Sequence, residues 1–212
     1  MNNNGLYKIQ KKDIPKAAAV LAEAFDDDPI WSALFEGESN RERKIRAFFE
    51  CPIRICLTYG EVRASSEHLE GVAAWVPGCL SNITMRRVIR SGSLLSGIRS
   101  GTRVLDKSKR IFGPMERDRK ENMSGRIFTY LNVIGVAPAL QGQGHGGKIL
   151  RYLTAKSDKS GIPIYLETET ENNVIMYEKY GFNVVRKIEL PLIGLPMWEM
   201  LREPELPDGL QA

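Results

Sequence analysis

The chain has 212 residues, of which 42% are hydrophobic and 26% charged, with a formal net charge of +4. That is enough apolar material for a packed core, and no uninterrupted apolar run approaches the ~20 residues that span a bilayer. The opening Met1-Asn2-Asn3-Asn4 lacks the apolar stretch of a signal peptide, and three cysteines (Cys51, Cys56, Cys79) are too few and oddly counted for a disulfide framework. The expectation is a soluble cytoplasmic protein forming one domain over residues 1–212.

The predicted elements begin with a short strand, Leu6 to Gln10. A helix follows, with Asp13 as N-cap and Pro15 in its first turn, where a missing N–H costs least. Ile14, Ala17, Ala18, Leu21, Ala24 and Phe25 keep a 3.6-residue rhythm until Asp26-Asp27-Asp28-Pro29 stops it. A second helix runs from Arg41 to Leu57, kinked at Pro52. Two strands, Glu61–Ala64 and Gly71–Val76, have the spacing of a hairpin across Ser65–Glu70.

The middle of the chain is basic. Arg86 through Arg126 holds twelve Lys/Arg against four Asp/Glu, which leaves the remainder of the chain net −4. We read residues 81–126 as a helical insertion of two helices with a mobile joint in the Gly/Ser pairs. It is either a solvated basic face or a lid over an anionic ligand. A nucleic-acid platform is disfavoured, because Phe112 is the one aromatic available for stacking.

The last third alternates strand and helix. Ile127–Val136 is a strand, Gly144–Ser160 a helix and Ile162–Thr168 a strand. Asn172–Tyr180 is a helix, and Phe182–Leu190 and Met197–Leu201 are strands. This order implies an α/β (α+β) fold with a mixed, partly parallel sheet. The loop Gln141-Gly142-Gln143-Gly144-His145-Gly146-Gly147-Lys148 follows a strand and opens a helix, a junction where unpaired N–H groups and the helix dipole favour an anion. Gly142, Gly144 and Gly147 formally satisfy G-x-G-x-x-G, but five residues separate them from the strand and too little chain follows for a doubly wound sheet. Gly142 to Lys148 begins a Walker A pattern, yet Ile149 stands where the magnesium-binding hydroxyl belongs.

A third pattern fits better. Val136-x-Pro138 with Gln141-x-x-Gly144-x-Gly146, followed by Asn173-Val-Ile-Met-Tyr-Glu-Lys-Tyr-Gly-Phe182, resembles the two signatures of GNAT-type N-acetyltransferases. Ala24 to Pro29, Tyr130 to Val136, Leu166 to Thr168 and Trp198 to Arg202 resemble the puromycin N-acetyltransferase-like branch, and the basic middle departs from it. The resemblance implies a GNAT-type central sheet of about seven strands with helices on both faces. It also implies acetyl-CoA (coenzyme A) as co-substrate and transfer of its acetyl group to a primary amine by direct attack in a ternary complex.

By resemblance, the N–H groups of Gln143, Gly144, His145, Gly146 and Gly147 cradle the pyrophosphate, with Gly142 in the same loop and Gln141 as buttress. The backbone of Ile134, Gly135 and Val136 pairs with the pantetheine arm. Tyr177 matches the general acid that protonates the leaving thiolate, and a core aromatic is its alternative role. Many family members carry a Glu on the strand before the loop, where this chain has Tyr130 and Asn132. Glu167 is therefore the candidate base, directly or through water; its alternative is an exposed strand-end carboxylate. Asn173 orients the cofactor or caps its helix. Asp27, Asp28, Tyr130 and Asn132 are the candidate acceptor-lining residues, and Asp26–Asp28 with Glu167, Glu169 and Glu171 would draw in a cationic amine; the alternative is a solvated acidic loop.

His68 and His145 do not form a metal pattern. The expected partner is a small-molecule amine, with no nucleic acid and no membrane, for a monomer or homodimer. A non-catalytic acyl-CoA sensor and an acetyltransferase of protein amino groups are the competing readings.

Overall fold

The central strands Gly71–Pro77 and Ile164–Thr168 are buried along nearly their whole length, so both faces of the sheet need cover. The computed structural model describes residues 5–205, so the start read at Met1 to Asn4 lies outside the described residues. The elements are β1 (Tyr7–Lys8), α1 (Ile14–Ala24), α2 (Pro29–Leu34), α3 (Arg41–Tyr59), β2 (Glu61–Ala64), β3 (Gly71–Pro77), α4 (Met85–Arg90), α5 (Leu94–Ser100) and α6 (Thr102–Asn122). Then come β4 (Thr129–Val136), α7 (His145–Ser160), β5 (Ile164–Thr168), α8 (Glu171–Glu178), β6 (Asn183–Leu190) and β7 (Leu195–Arg202).

One seven-stranded sheet has the order β1-β2-β3-β4-β5-β7-β6. Only β4 and β5 run parallel, joined by α7; the other neighbours are antiparallel. One face carries α1, α2, α3 and α6, with Leu21, Phe49, Ile53, Ile111, Val133 and Tyr165 in its core. The other carries α7 and α8, with Leu131, Ile149, Leu153, Leu166 and Tyr177. The mixed sheet and two-sided cover agree with the sequence-based expectation.

Four local expectations need correction. The first strand is only Tyr7–Lys8, paired with Ala64 and Arg63, because the chain turns away into the 3-10 turn Lys11–Asp13 soon after. Asp13 makes no side-chain cap to α1; its carboxylate accepts from the Gln10 N–H at 2.9 Å and the Tyr7 hydroxyl at 3.0 Å, closing the preceding 3-10 turn. Asp28-Pro29 starts a helix as well as ending one, since Asp28 accepts from the N–H of Ile30 and Trp31 and Pro29 occupies the first turn of α2. The basic middle forms three helices, not two, because Gly101 adopts φ +101° between α5 and α6.

α1 fixes the height of β4. A Cβ on Gly135 would sit 2.9 Å from Ala24 Cβ and 3.0 Å from Leu21 Cδ2, so only glycine lets this helix lie on the strand.

Candidate active site

The site starts from a defect in pairing. β3 and β4 align Ala74 with Val133 but Trp75 with Leu131, so Asn132 is an extra, bulged residue. A bulge bends its strand and raises the local twist. β4 and β5 therefore pair only at Thr129 with Ile164 and Tyr130 with Tyr165, and separate beyond. Ile134, Gly135 and Val136 still pair with Ala73, Val72 and Gly71 of β3, while their other edge is free of β5.

The glycine loop lies at the open end of this wedge. Gly142 and Gly144 adopt φ +76° and +86°, conformations that disfavour any side chain. The Gln141 amide donates to the Val136 carbonyl at 3.2 Å and the Gln143 amide to the Ala139 carbonyl at 3.3 Å, pinning the loop to the strand end. α7 has no side-chain N-cap. Among the described residues, the N–H groups from Gly142 to Gly147 donate to no carbonyl of a turn or cap. A Cβ on Gly142 or Gly144 would meet nothing within 4 Å, so the cradle is open. Free donors at the start of a 16-residue helix suit a diphosphate.

Two carboxylate clusters border the wedge. In the first, Glu167 of β5 forms a buried ion pair with Arg119 of α6, whose guanidinium lies 4.0 Å over the Tyr130 ring and donates through Nε to Ser81 Oγ at 3.3 Å. Burial pushes the Glu167 carboxyl up, and Arg119 and the Tyr130 hydroxyl pull it back. The side chain is 3% exposed, which removes the exposed strand-end alternative. Glu199 of β7 stands directly opposite Glu167. It is fully buried, accepts from the Asn122 amide at 2.5 Å, and leaves Oε1 without a partner. Burial first, then the charge of Glu167, pushes its carboxyl up to about 7, against the Tyr165 hydroxyl.

In the second cluster, Glu169 lies beside Asp28. Burial and this contact push Glu169 up to about 9, so it holds its proton at neutral pH. Tyr177 is buried at the same place, edge-on to Phe182 at 5.6 Å; burial and then the charge of Glu169 push its phenol up. Asp27 is exposed, and Asp26 is ion-paired with Arg41. Asn173 does not cap α8; Thr170 does, its Oγ1 accepting from the Asn173 N–H at 3.3 Å.

The structure thus brings Glu167, Tyr130 and the bulged Asn132 to the vertex, and Asp28 and Tyr177 to a shared carboxyl cluster. Two residues were not read from the sequence, Arg119 and Glu199; Glu169 was read as one of the acids that attract a cation.

Glu199 makes the fold sensitive to pH. A carboxyl whose folded pKa is raised stabilises below the ordinary carboxyl range and loses that contribution as pH climbs through about 7. Glu169 acts with the same sign up to about 9. We expect a lower Tm at pH 8 than at pH 6, and Glu199→Gln to remove part of the drop, on the order of 2 kcal/mol. Scanning calorimetry at the two pH values checks this; an unchanged slope in the variant would contradict it.

A family model described as an acetyltransferase (GNAT) domain matches residues 104–184. An uncharacterized N-acetyltransferase of Schizosaccharomyces pombe is 27% identical over 205 residues, covering 93% of this chain and 83% of the relative. Among solved structures, a histone acetyltransferase HPA2 and related acetyltransferase from Corynebacterium glutamicum superposes with a TM-score of 0.66 at 22% identity, covering 96% of this chain and 97% of the other. An agmatine N-acetyltransferase superposes at 0.58 with 10% identity, covering 94% and 98%. Residues 104–184 therefore match a GNAT acetyltransferase domain, and the family model, the relative and the solved structures all indicate an acetyltransferase.

Proposed function

We propose that the chain transfers the acetyl group of acetyl-CoA to the primary amine of a small cationic molecule, by direct attack in a ternary complex. The observation that carries this reading is the uncapped start of α7, with its free N–H groups beside the unpaired edge of β4. Acetyl-CoA supplies an activated thioester. The amides of Gly142 to Gly147 hold its diphosphate, with Gln141 and Gln143 keeping the loop in place. The free edge of Ile134, Gly135 and Val136 pairs with the pantetheine amides, and a β4 backbone N–H faces the oxygen on which charge develops. Asn173, on the first turn of α8, helps orient the cofactor.

Glu167 takes the proton of the attacking amine, directly or through a water. The amine nitrogen bonds to the carbonyl carbon, the carbon–sulfur bond breaks, and Tyr177 gives its phenolic proton to the leaving sulfur. Asp27, Asp28, Tyr130 and Asn132 border the acceptor. The protonated Glu169 beside Asp28 makes a place where a cation would be welcome, because its charge favours release of the Glu169 proton. The fold shared with an agmatine N-acetyltransferase is compatible with a small amine acceptor.

Within the family we put the chain nearest the puromycin N-acetyltransferase-like branch, on the stretches at 24–29, 130–136, 166–168 and 198–202. A reducing, cytoplasmic setting accords with three free cysteines. We read the whole chain as one domain, a monomer or homodimer without a nucleic-acid partner.

The test is a panel of amines with acetyl-CoA, reading free thiol, with calorimetry of coenzyme A, NAD and ATP alongside. Thiol release with small cationic amines and heat from coenzyme A alone are expected. Heat from NAD or ATP and none from coenzyme A would overturn the reading. Coenzyme A binding with no amine turned over would leave a sensor rather than an enzyme.

A further inference from the structure

α5 is built inside out. Its small residues Ser96, Gly97 and Ser100 are buried. Ser96 Oγ donates to Glu50 at 2.7 Å, and Ser93 Oγ, at the turn before the helix, donates to the Cys51 carbonyl at 3.3 Å, so the small face is fastened to α3. The large side chains Leu94, Leu95 and Ile98 point the other way and are 46%, 55% and 58% exposed. α4 buries none of its residues. Its Met85 and Ile89 share one side at i, i+4 spacing and are 64% and 59% exposed, and Ile83 just before it is 58% exposed. A surface helix ordinarily turns such residues toward the core.

The charge around this patch has one sign. No Asp or Glu occurs from Gly71 to Leu105. Arg86, Arg90, Arg99 and Arg103 are exposed beside the apolar residues. An isologous contact with a second copy would set Arg86, Arg90 and Arg99 against each other with no acid on α4 or α5 to offset them. A structured protein interface carries a rim of mixed donors and acceptors, whereas every charged residue of α4 and α5 is an arginine. Apolar side chains fringed by cations are what an anionic lipid surface accepts.

We propose that the α4–α5 face seats on an anionic lipid surface, with Met85, Ile89, Leu95 and Ile98 entering the headgroup–acyl boundary and Arg86, Arg90 and Arg99 against the phosphates. This revises the expectation of no membrane partner, which rested on the lack of a spanning segment. No described helix is long and apolar enough to cross a membrane, and a peripheral seat requires none. The proposal does not depend on the acetyl acceptor.

Flotation of the full chain with vesicles of phosphatidylcholine, or of phosphatidylcholine with phosphatidylglycerol, tests it. The chain should float only with the anionic vesicles, and less as salt is added. Leu95→Ser with Ile98→Ser should cut partition at least ~10-fold. Arg86→Gln with Arg90→Gln should cost about 5-fold per arginine. Lys159→Gln with Lys179→Gln, the same charge loss on other surface positions, should leave partition nearly unchanged, and all variants should keep their circular dichroism. No flotation with anionic vesicles overturns the proposal. So does indifference to the Leu95 and Ile98 changes, or an equal loss in the lysine variant, either of which would leave only the general attraction of a basic protein. A dimer on size-exclusion chromatography that the Leu95 and Ile98 changes dissociate, without vesicle binding, would give the face to a second copy. Retention on an acidic amphipathic peptide but not on vesicles would give it to a protein.

Discussion

Tyr177→Phe should lower kcat by ~10²-fold or more while coenzyme A binds as before, the signature of a lost general acid rather than a lost binding contact. The substitution removes one oxygen and keeps the ring, so the edge-on packing against Phe182 at 5.6 Å survives. The environment sets the size of the effect. Burial and the charge of Glu169 raise the phenol, so it stays protonated throughout the assay range and contributes no limb to the pH profile. The same raising makes full transfer to a thiolate uphill, since a thiol with pKa near ~8.5 is the stronger acid. Tyr177 therefore hands over its proton late, as the carbon–sulfur bond breaks, which favours the lower part of the ~10²–10⁴ range of such groups. Single-turnover thiol release with calorimetry of coenzyme A measures both halves. An unchanged kcat would assign Tyr177 to the core alone.

The elements around this site were legible where one physical rule acts alone. α1, α3 and α7 follow apolar periodicity, and the hairpin of β2 and β3 follows from two alternating runs around a polar turn. The glycine loop was legible because closely spaced glycines before a helix have few other uses. α2 was missed because six residues are too short for a period, and Asp28-Pro29 reads equally as a stop and as a cap. The bulge at Asn132 was not legible, since it exists only in the register between β4 and its neighbour. Arg119 had a signal that went unused. The buried stripe of α6 runs Val104, Ser108, Ile111, Met115 and Arg119, so the arginine sits where the next apolar residue belongs. Glu199 was similar, a lone acid between Trp198 and Met200 in a strand covered on both faces. The exposed apolar face of α4 and α5 was not legible, because periodicity names a face without saying which way it points.

Arg119→Met should destabilise the fold by about 3–5 kcal/mol, because it leaves Glu167 buried without its cation. Glu167→Gln should cost less, since a guanidinium can still stack on Tyr130 and donate to Ser81. The double variant should recover much of the loss, because two neutral side chains of similar volume replace a buried pair nearly without penalty. Activity should not follow stability. Without Arg119, the burial that already pushes Glu167 upward is opposed by the Tyr130 hydroxyl alone, so its pKa rises further. A base must be ionised to accept the amine proton, so the acidic limb of kcat should move to higher pH in Arg119→Met, and part of the activity should return on the alkaline side. Glu167→Gln and the double variant have no carboxyl to titrate there; they should lose ~10²–10⁴ in kcat at every pH. Denaturant unfolding and pH–rate profiles of the three variants separate the two roles. If the double variant regained both stability and turnover, the ion pair would be a device of the fold and the proton would leave by water. If stability returns and turnover does not, Arg119 is the positioning residue and Glu167 the base it holds at the vertex of the wedge.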